Sequence, residues 1–154
     1  MPDVKLDHAY GGRKVLLRGT SPAADGALLA RSGSGKPLNN LELVEQLCAV
    51  SGTLAEARRT HVHNLGSLVP HVFMGDVLAR VGDCLTADTA AQRCDRRPEV
   101  EAILGVLDGA AGVADRETRH VIAASFVRDG ERAGFFRELR PCLGRKLLAL
   151  LRAK

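Results

Sequence analysis

Aromatic residues are scarce in this chain: four Phe, one Tyr and no Trp among 154 positions. A core without large rings has to be built from Leu, Val, Ala and those few Phe. Ala and Leu favour helix, whereas aromatic and β-branched residues favour strand, so the balance points to a mainly α protein. Long apolar runs are missing too, which argues against a membrane-spanning helix. Close cysteine pairs are also absent. Cys48, Cys84, Cys94 and Cys142 lie far apart and unevenly spaced, which excludes a zinc ribbon and a dithiol redox motif. No apolar leader of secretory type opens the sequence. The four thiols are therefore expected to be reduced and mostly buried, as small hydrophobes of a cytoplasmic protein.

What is present bounds the object further. The length suits one domain, which buries about two thirds of its unfolded surface and needs no staples. Lys and Arg number 22 against 18 Asp and Glu, a net charge of +4. That charge permits contact with nucleic acid or with an acidic partner. Arginine greatly outnumbers lysine in a chain rich in Ala, Gly and Leu. This is the mark of GC-rich coding, which raises basicity without a function.

Residues 1–38 are dense in turn punctuation, including Gly11-Gly12, Gly19, Pro22, Gly26, Gly33, Gly35 and Pro37. They read as an N-terminal arm, irregular or a short hairpin, with Val15 to Leu17 and Ala27 to Leu29 as its candidate strands. The run "RSGSGKP" has the Gly-Lys of a phosphate loop. Pro37 replaces the Ser or Thr that would hold magnesium, and Ala30 stands where the first glycine belongs. The run reads as a linker instead.

Residues 39–154 read as a helical domain of five to six helices, an orthogonal or up-down bundle. Asn39 or Asn40 caps a first helix whose apolar positions run from Leu41 to Val50, and Ser51-Gly52 interrupts it. Thr53 stands three residues before Glu56, the spacing of a capping box that opens a second helix ending near Gly66. Pro70 opens a third, with Val69, Val72, Phe73, Val77, Val81 and Leu85 at helical spacing. "TADTAAQRCDRR" reads as a polar loop before Pro98, which starts a fourth helix ended by Gly109 and Gly112. Asp115 caps a fifth, with Val121, Ile122, Ser125 and Phe126 inward and Gly130 as its stop. "AGFFRELRP" reads as a short helix or turn, and Pro141 opens the last helix. The expected core includes Val72, Phe73, Val77, Ile103, Leu107, Ile122, Phe126, Leu143 and Leu147.

The stretch "THVHNLGSLVPHVFMGD" concentrates three of the five histidines. His61, His63, His71 and Asp76 form the most obvious polar cluster, either a metal site or the seam between two helices. Residues two apart on a helix point in different directions, so His61 and His63 cannot share a metal there. The seam reading follows: His61 and His63 decorate a helix end, where a cation suits the dipole, and His71 bonds within the next turn. Cysteine catalysis, by Cys84 with His71 or Cys142 with His120, has no local mark of an activated thiol. No metal, cofactor or catalytic residue is expected. From Arg128 to the end, eight cations stand against three carboxylates. Arg137, Arg140, Arg145, Lys146 and Arg152 are the candidate contacts for a partner or an anion.

The order of "LVPHVFMGDVLARV", "PEVEAILGVLD", "VIAASFVRDGE" and "FFRELRPCLGRKLLALL" is similar to a family of small uncharacterised bacterial helical proteins. The matching positions are Pro70, His71, Gly75, Asp76, Ser125, Phe126, Phe135, Phe136, Leu139, Pro141, Leu143 and Gly144, within residues 41–151. Some members look like immunity or accessory components encoded beside secreted toxins. The resemblance implies a non-enzymatic protein that binds another protein, an immunity-type partner that neutralises a toxin. It carries over no catalytic residues. The chain's basicity speaks against a nuclease as the target and for an acidic or neutral partner surface. The alternatives are a nucleic-acid-binding regulator using the basic C-terminal helices and a hydrolase using the His61–His71 stretch. Oligomeric state is not legible.

Overall fold

The computed structural model describes residues 35–153. The two candidate strands of the arm lie outside that range. The described chain is mainly helical, as composition and periodicity predict.

Helix α1 (Asn40–Val50) starts at Asn39, whose side chain accepts from the Glu42 backbone while the Glu42 carboxylate accepts from the Asn39 N–H, both at 3.0 Å. Helix α2 (Gly52–Leu65) is capped by Ser51, not by Thr53. Ser51 lies just past α1 in extended conformation, so one residue ends the first helix and begins the second. The Thr53–Glu56 spacing falls inside the helix. Gly66 closes α2 at φ 73°, a left-handed position that glycine occupies without a Cβ penalty.

Helix α3 (Pro70–Leu85) begins at its proline, as expected. Its inward face is Phe73, Met74, Val77, Val81 and Cys84, all buried. Val72, expected in the core, is 51% exposed, because it lies one position off that stripe.

Helix α4 (Ala90–Val113) departs most from expectation. It starts at Ala90, eight residues before Pro98, in the segment read as a loop. Thr89 and Gln92 form a reciprocal capping box, with bonds of 3.1 and 3.3 Å. Pro98 sits inside the helix and withdraws the N–H that Cys94 would otherwise receive. Cys94 and Pro98 both face solvent, so water can satisfy that carbonyl. Gly109 and Gly112 lie within the helix and do not end it.

Ala114 leaves α4 in extended conformation and pairs with Leu38. Leu38 donates to Val113 (3.1 Å) and accepts from Asp115 (2.9 Å), and its side chain is buried. Asp115 then caps α5 (Arg116–Val121), accepting from the Thr118 N–H at 2.7 Å. That bond holds its carboxyl below the usual carboxylate range. A wide π turn follows over Ile122–Arg128 and runs into α6 (Asp129–Arg132). In an α-helix, at about 100° per residue, Val127 would swing away from the stripe of Val121, Ile122, Ser125 and Phe126. The wider i→i+5 turn takes more residues per turn and brings Val127 back towards that stripe, and Ile122 and Val127 are both buried. Gly130 does not stop the helix. It is buried where Leu139 and Leu78 approach closely.

Phe136–Leu139 forms α7, and Arg140–Cys142 a single 3-10 turn. Pro141 belongs to that turn and does not open the last helix. Helix α8 (Arg145–Arg152) begins after Gly144. The core forms where α3 packs on α4 and the π turn, α1 packs on α2 and α4, and α8 closes over α4 and the π turn. Phe73, Phe126, Leu47, Ile103, Leu107 and Leu147 lie at its centre. Of the four cysteines only Cys84 is buried and Cys48 half-buried. Cys94 and Cys142 are exposed, against expectation, because the helix faces that carry them turn to solvent. Burial pushes the Cys48 and Cys84 thiols up, away from the reactive thiolate.

Candidate functional site

The histidine stretch resolves into two separate contacts. His61 is buried, where a decorating role at the helix end was expected. Its Nε2 accepts from the Val69 N–H at 3.2 Å, and its Nδ1 lies 3.8 Å from the Asp76 carboxylate. An accepting Nε2 places the ring proton on Nδ1, facing that carboxylate. Val69, the N-cap of α3, has no side-chain cap bond of its own. His61 thus ties the last turn of α2 to the first residue before α3. His63 is exposed and faces away, as its two-residue offset requires.

His71 bonds across the fold, not within its own turn. Its Nδ1 lies 2.6 Å from the Ser125 hydroxyl on the π turn. Its ring meets His120 edge-on with centroids 6.0 Å apart. Among the described residues no three His, Cys, Asp or Glu side chains converge as metal ligands. The cluster of His61, His63, His71 and Asp76 is therefore two hydrogen-bonded ties and one solvated ring.

The tie at His61 has a surface consequence. It draws Val69 against the end of α2, where Val62 and Leu65 stand one turn apart on the outer side. Val69 and Val72 repeat that spacing on α3. All four are large apolar residues open to water: Val62 39%, Leu65 54%, Val69 37% and Val72 51% exposed. Exposed leucines and valines scattered singly need no explanation, but four within eleven residues that flank one interhelical turn make that corner a candidate interaction surface.

The candidate cations Arg137, Arg140, Arg145, Lys146 and Arg152 are all exposed, and none makes a salt bridge among the described residues. They are spread over α7, the 3-10 turn and α8. Lys146 alone is fixed by packing, since its side chain lies across Gly112 on α4. Two further arginines, Arg116 and Arg119, line an open groove with Glu117, His120, Ala123 and Leu150. The sequence held a usable signal for this face: residues 116, 119, 120 and 123 recur at i, i+3, i+4 and i+7.

Comparison with known proteins leaves the geometry to speak for itself: no family model, curated protein or solved structure matches the chain. No helix among the described residues is long and apolar enough to cross a membrane.

Proposed function

We propose that this chain is a non-enzymatic protein that works by binding another protein, with the corner between α2 and α3 as its contact surface. The observation that carries the reading is the exposure of Val62, Leu65, Val69 and Val72 on both sides of a turn that the His61–Val69 bond ties together. Apolar area left in water at a fixed corner is recovered when a partner covers it. The finer reading, an immunity-type partner that neutralises a bacterial toxin, rests on the sequence resemblance alone. The nucleic-acid alternative rests on the basic C-terminus, where Arg145, Lys146 and Arg152 share the exposed side of α8 opposite buried Leu147, while Arg137 and Arg140 lie on other short elements.

The test is capture from the native cell with the purified chain as bait, beside a Leu65→Asp, Val72→Asp variant. Both substituted side chains are exposed, so the variant keeps its helical circular dichroism and melting temperature. The native chain should retain a discrete protein that the variant loses. Equal retention by both baits, or a nucleic acid as the retained species, would contradict the proposal.

A further inference from the structure

The groove along α5 and α8 offers a place for the acidic partner surface that the chain's net charge favours. We infer that it seats an acidic, amphipathic segment of the partner protein, with an apolar side chain on Ala123 and Leu150 and carboxylates on Arg116 and Arg119. This rests on the protein-binding reading and names the partner's chemistry at a second face.

Arg116, Arg119, His120 and Ala123 share one side of a continuous helical run, and Leu150 of α8 is half-buried opposite. Arg116 makes no ion pair among the described residues. Arg119 gives an Nη2 hydrogen to the Ala114 carbonyl at 3.2 Å, which anchors the guanidinium and leaves its other donors free. Glu117, the one carboxylate of the groove, accepts from the Asn40 side chain at 3.3 Å, a bond that draws it towards α1. Lys146 lies over Gly112, four residues before Arg116, and adds a cation near the end of α4. The lining is positive and its floor apolar. A planar guanidinium matches a carboxylate with paired N–H donors, so a segment carrying Asp or Glu beside Leu meets both features. A nucleic-acid strand meets only one. The groove is lined by no Phe, Tyr or Trp, and its one ring, His120, is already met edge-on by His71, so a run of bases would lack an extended stacking platform.

Fluorescence anisotropy on the full chain tests this with three labelled probes: a twelve-residue amphipathic peptide of Leu, Asp and Glu, the same peptide with Lys at each acidic position, and a twelve-nucleotide oligothymidine. The acidic peptide should bind saturably and more weakly as salt rises. The Lys peptide and the oligothymidine should not match it. Arg116→Glu with Arg119→Glu should weaken peptide binding about tenfold or more, the loss expected when charge-assisted pairs become repulsive. Arg59→Glu with Arg97→Glu changes net charge equally on distant exposed sites and should leave binding close to native. Absence of saturable binding, equal loss in both charge-reversed variants, or oligothymidine bound as tightly as the peptide would overturn the inference. A protein captured at the α2–α3 corner while the peptide fails to bind would sink the groove and leave the protein-binding reading standing.

Discussion

Asp108 of α4 caps α8 from a distance: its Oδ1 accepts from the backbone N–H of Lys146 at 2.9 Å and of Leu147 at 3.0 Å. Helix α8 has Gly144 at its own N-cap and no side-chain bond there. A carboxylate 39 residues upstream of Leu147 therefore does the work that a local Ser or Asp usually does. The same contact fixes the register in which Leu147 enters the core and Leu150 reaches the groove. Asp108→Ala should cost about 1–2 kcal/mol, the range of a lost N-cap. Asp108→Asn should recover most of it, as measured by urea unfolding of both variants.

Arg80 grips Glu99 through two bonds of 3.0 and 2.6 Å, and Ser51 donates to the same carboxylate at 2.5 Å. Three elements meet there: the α1–α2 junction, α3 and α4. The Arg80 guanidinium, aided by Ser51, holds the Glu99 carboxyl below its ordinary range despite partial burial. A folded pKa lowered in this way contributes stability above the unfolded value, about 4.3 for Glu. That contribution fades as pH falls through the folded value. Glu99→Gln should therefore cost about 1.5–3 kcal/mol at neutral pH, the range for hydrogen bonds to charged groups. The gap between variant and native chain should shrink in acid. A gap independent of pH, in melts recorded from neutrality to strong acid, would show that the ion pair contributes nothing.

Pro98 interrupts the hydrogen-bond ladder of α4 at an exposed position. Pro98→Ala should restore the bond to the Cys94 carbonyl and stabilise the protein by about 1–3 kcal/mol. Chemical denaturation would read the gain as a shifted midpoint at constant slope.

Phe126 is fully buried in the π turn, one of only four Phe in the chain. Phe126→Ala should cost about 3–5 kcal/mol. Val127→Ala should cost less than Phe126→Ala, yet more than an exposed valine such as Val113, because the π turn buries Val127. Equal, negligible costs at Val127 and Val113 would contradict that turn.

Sequence alone predicted the helical class, the buried Phe73, Val77 and Val81 of α3 and the inward Val121, Ile122, Ser125 and Phe126, because apolar spacing is local and survives in the folded state. It missed what depends on contacts far apart in the chain. Thr89 and Gln92 were legible as a capping box, but Pro98 invited a helix start and hid the earlier one. Proline is tolerated in the helix only because its neighbourhood is solvated. His71 reads as a local partner in sequence, and only the packing of α3 on the π turn brings it to Ser125. The α2–α3 patch was invisible for a similar reason. Val69 and Val72 belong to the apolar run that opens α3, but the stripe of Phe73, Val77 and Val81 turns inward and leaves both in water. Arg116 and Arg119 share a face by helical spacing, but the charge excess from Arg128 onward is the stronger signal in the sequence.

Site-specific photo-crosslinking in the native cell tests the central claim most directly. A photoreactive residue in place of Val72, at the patch, is compared with one in place of Glu45, exposed on α1. Binding at the α2–α3 corner predicts one dominant adduct with a discrete protein from position 72, resistant to nuclease and absent from position 45. The same adduct pattern from both positions, no adduct from position 72, or an adduct destroyed by nuclease would contradict it.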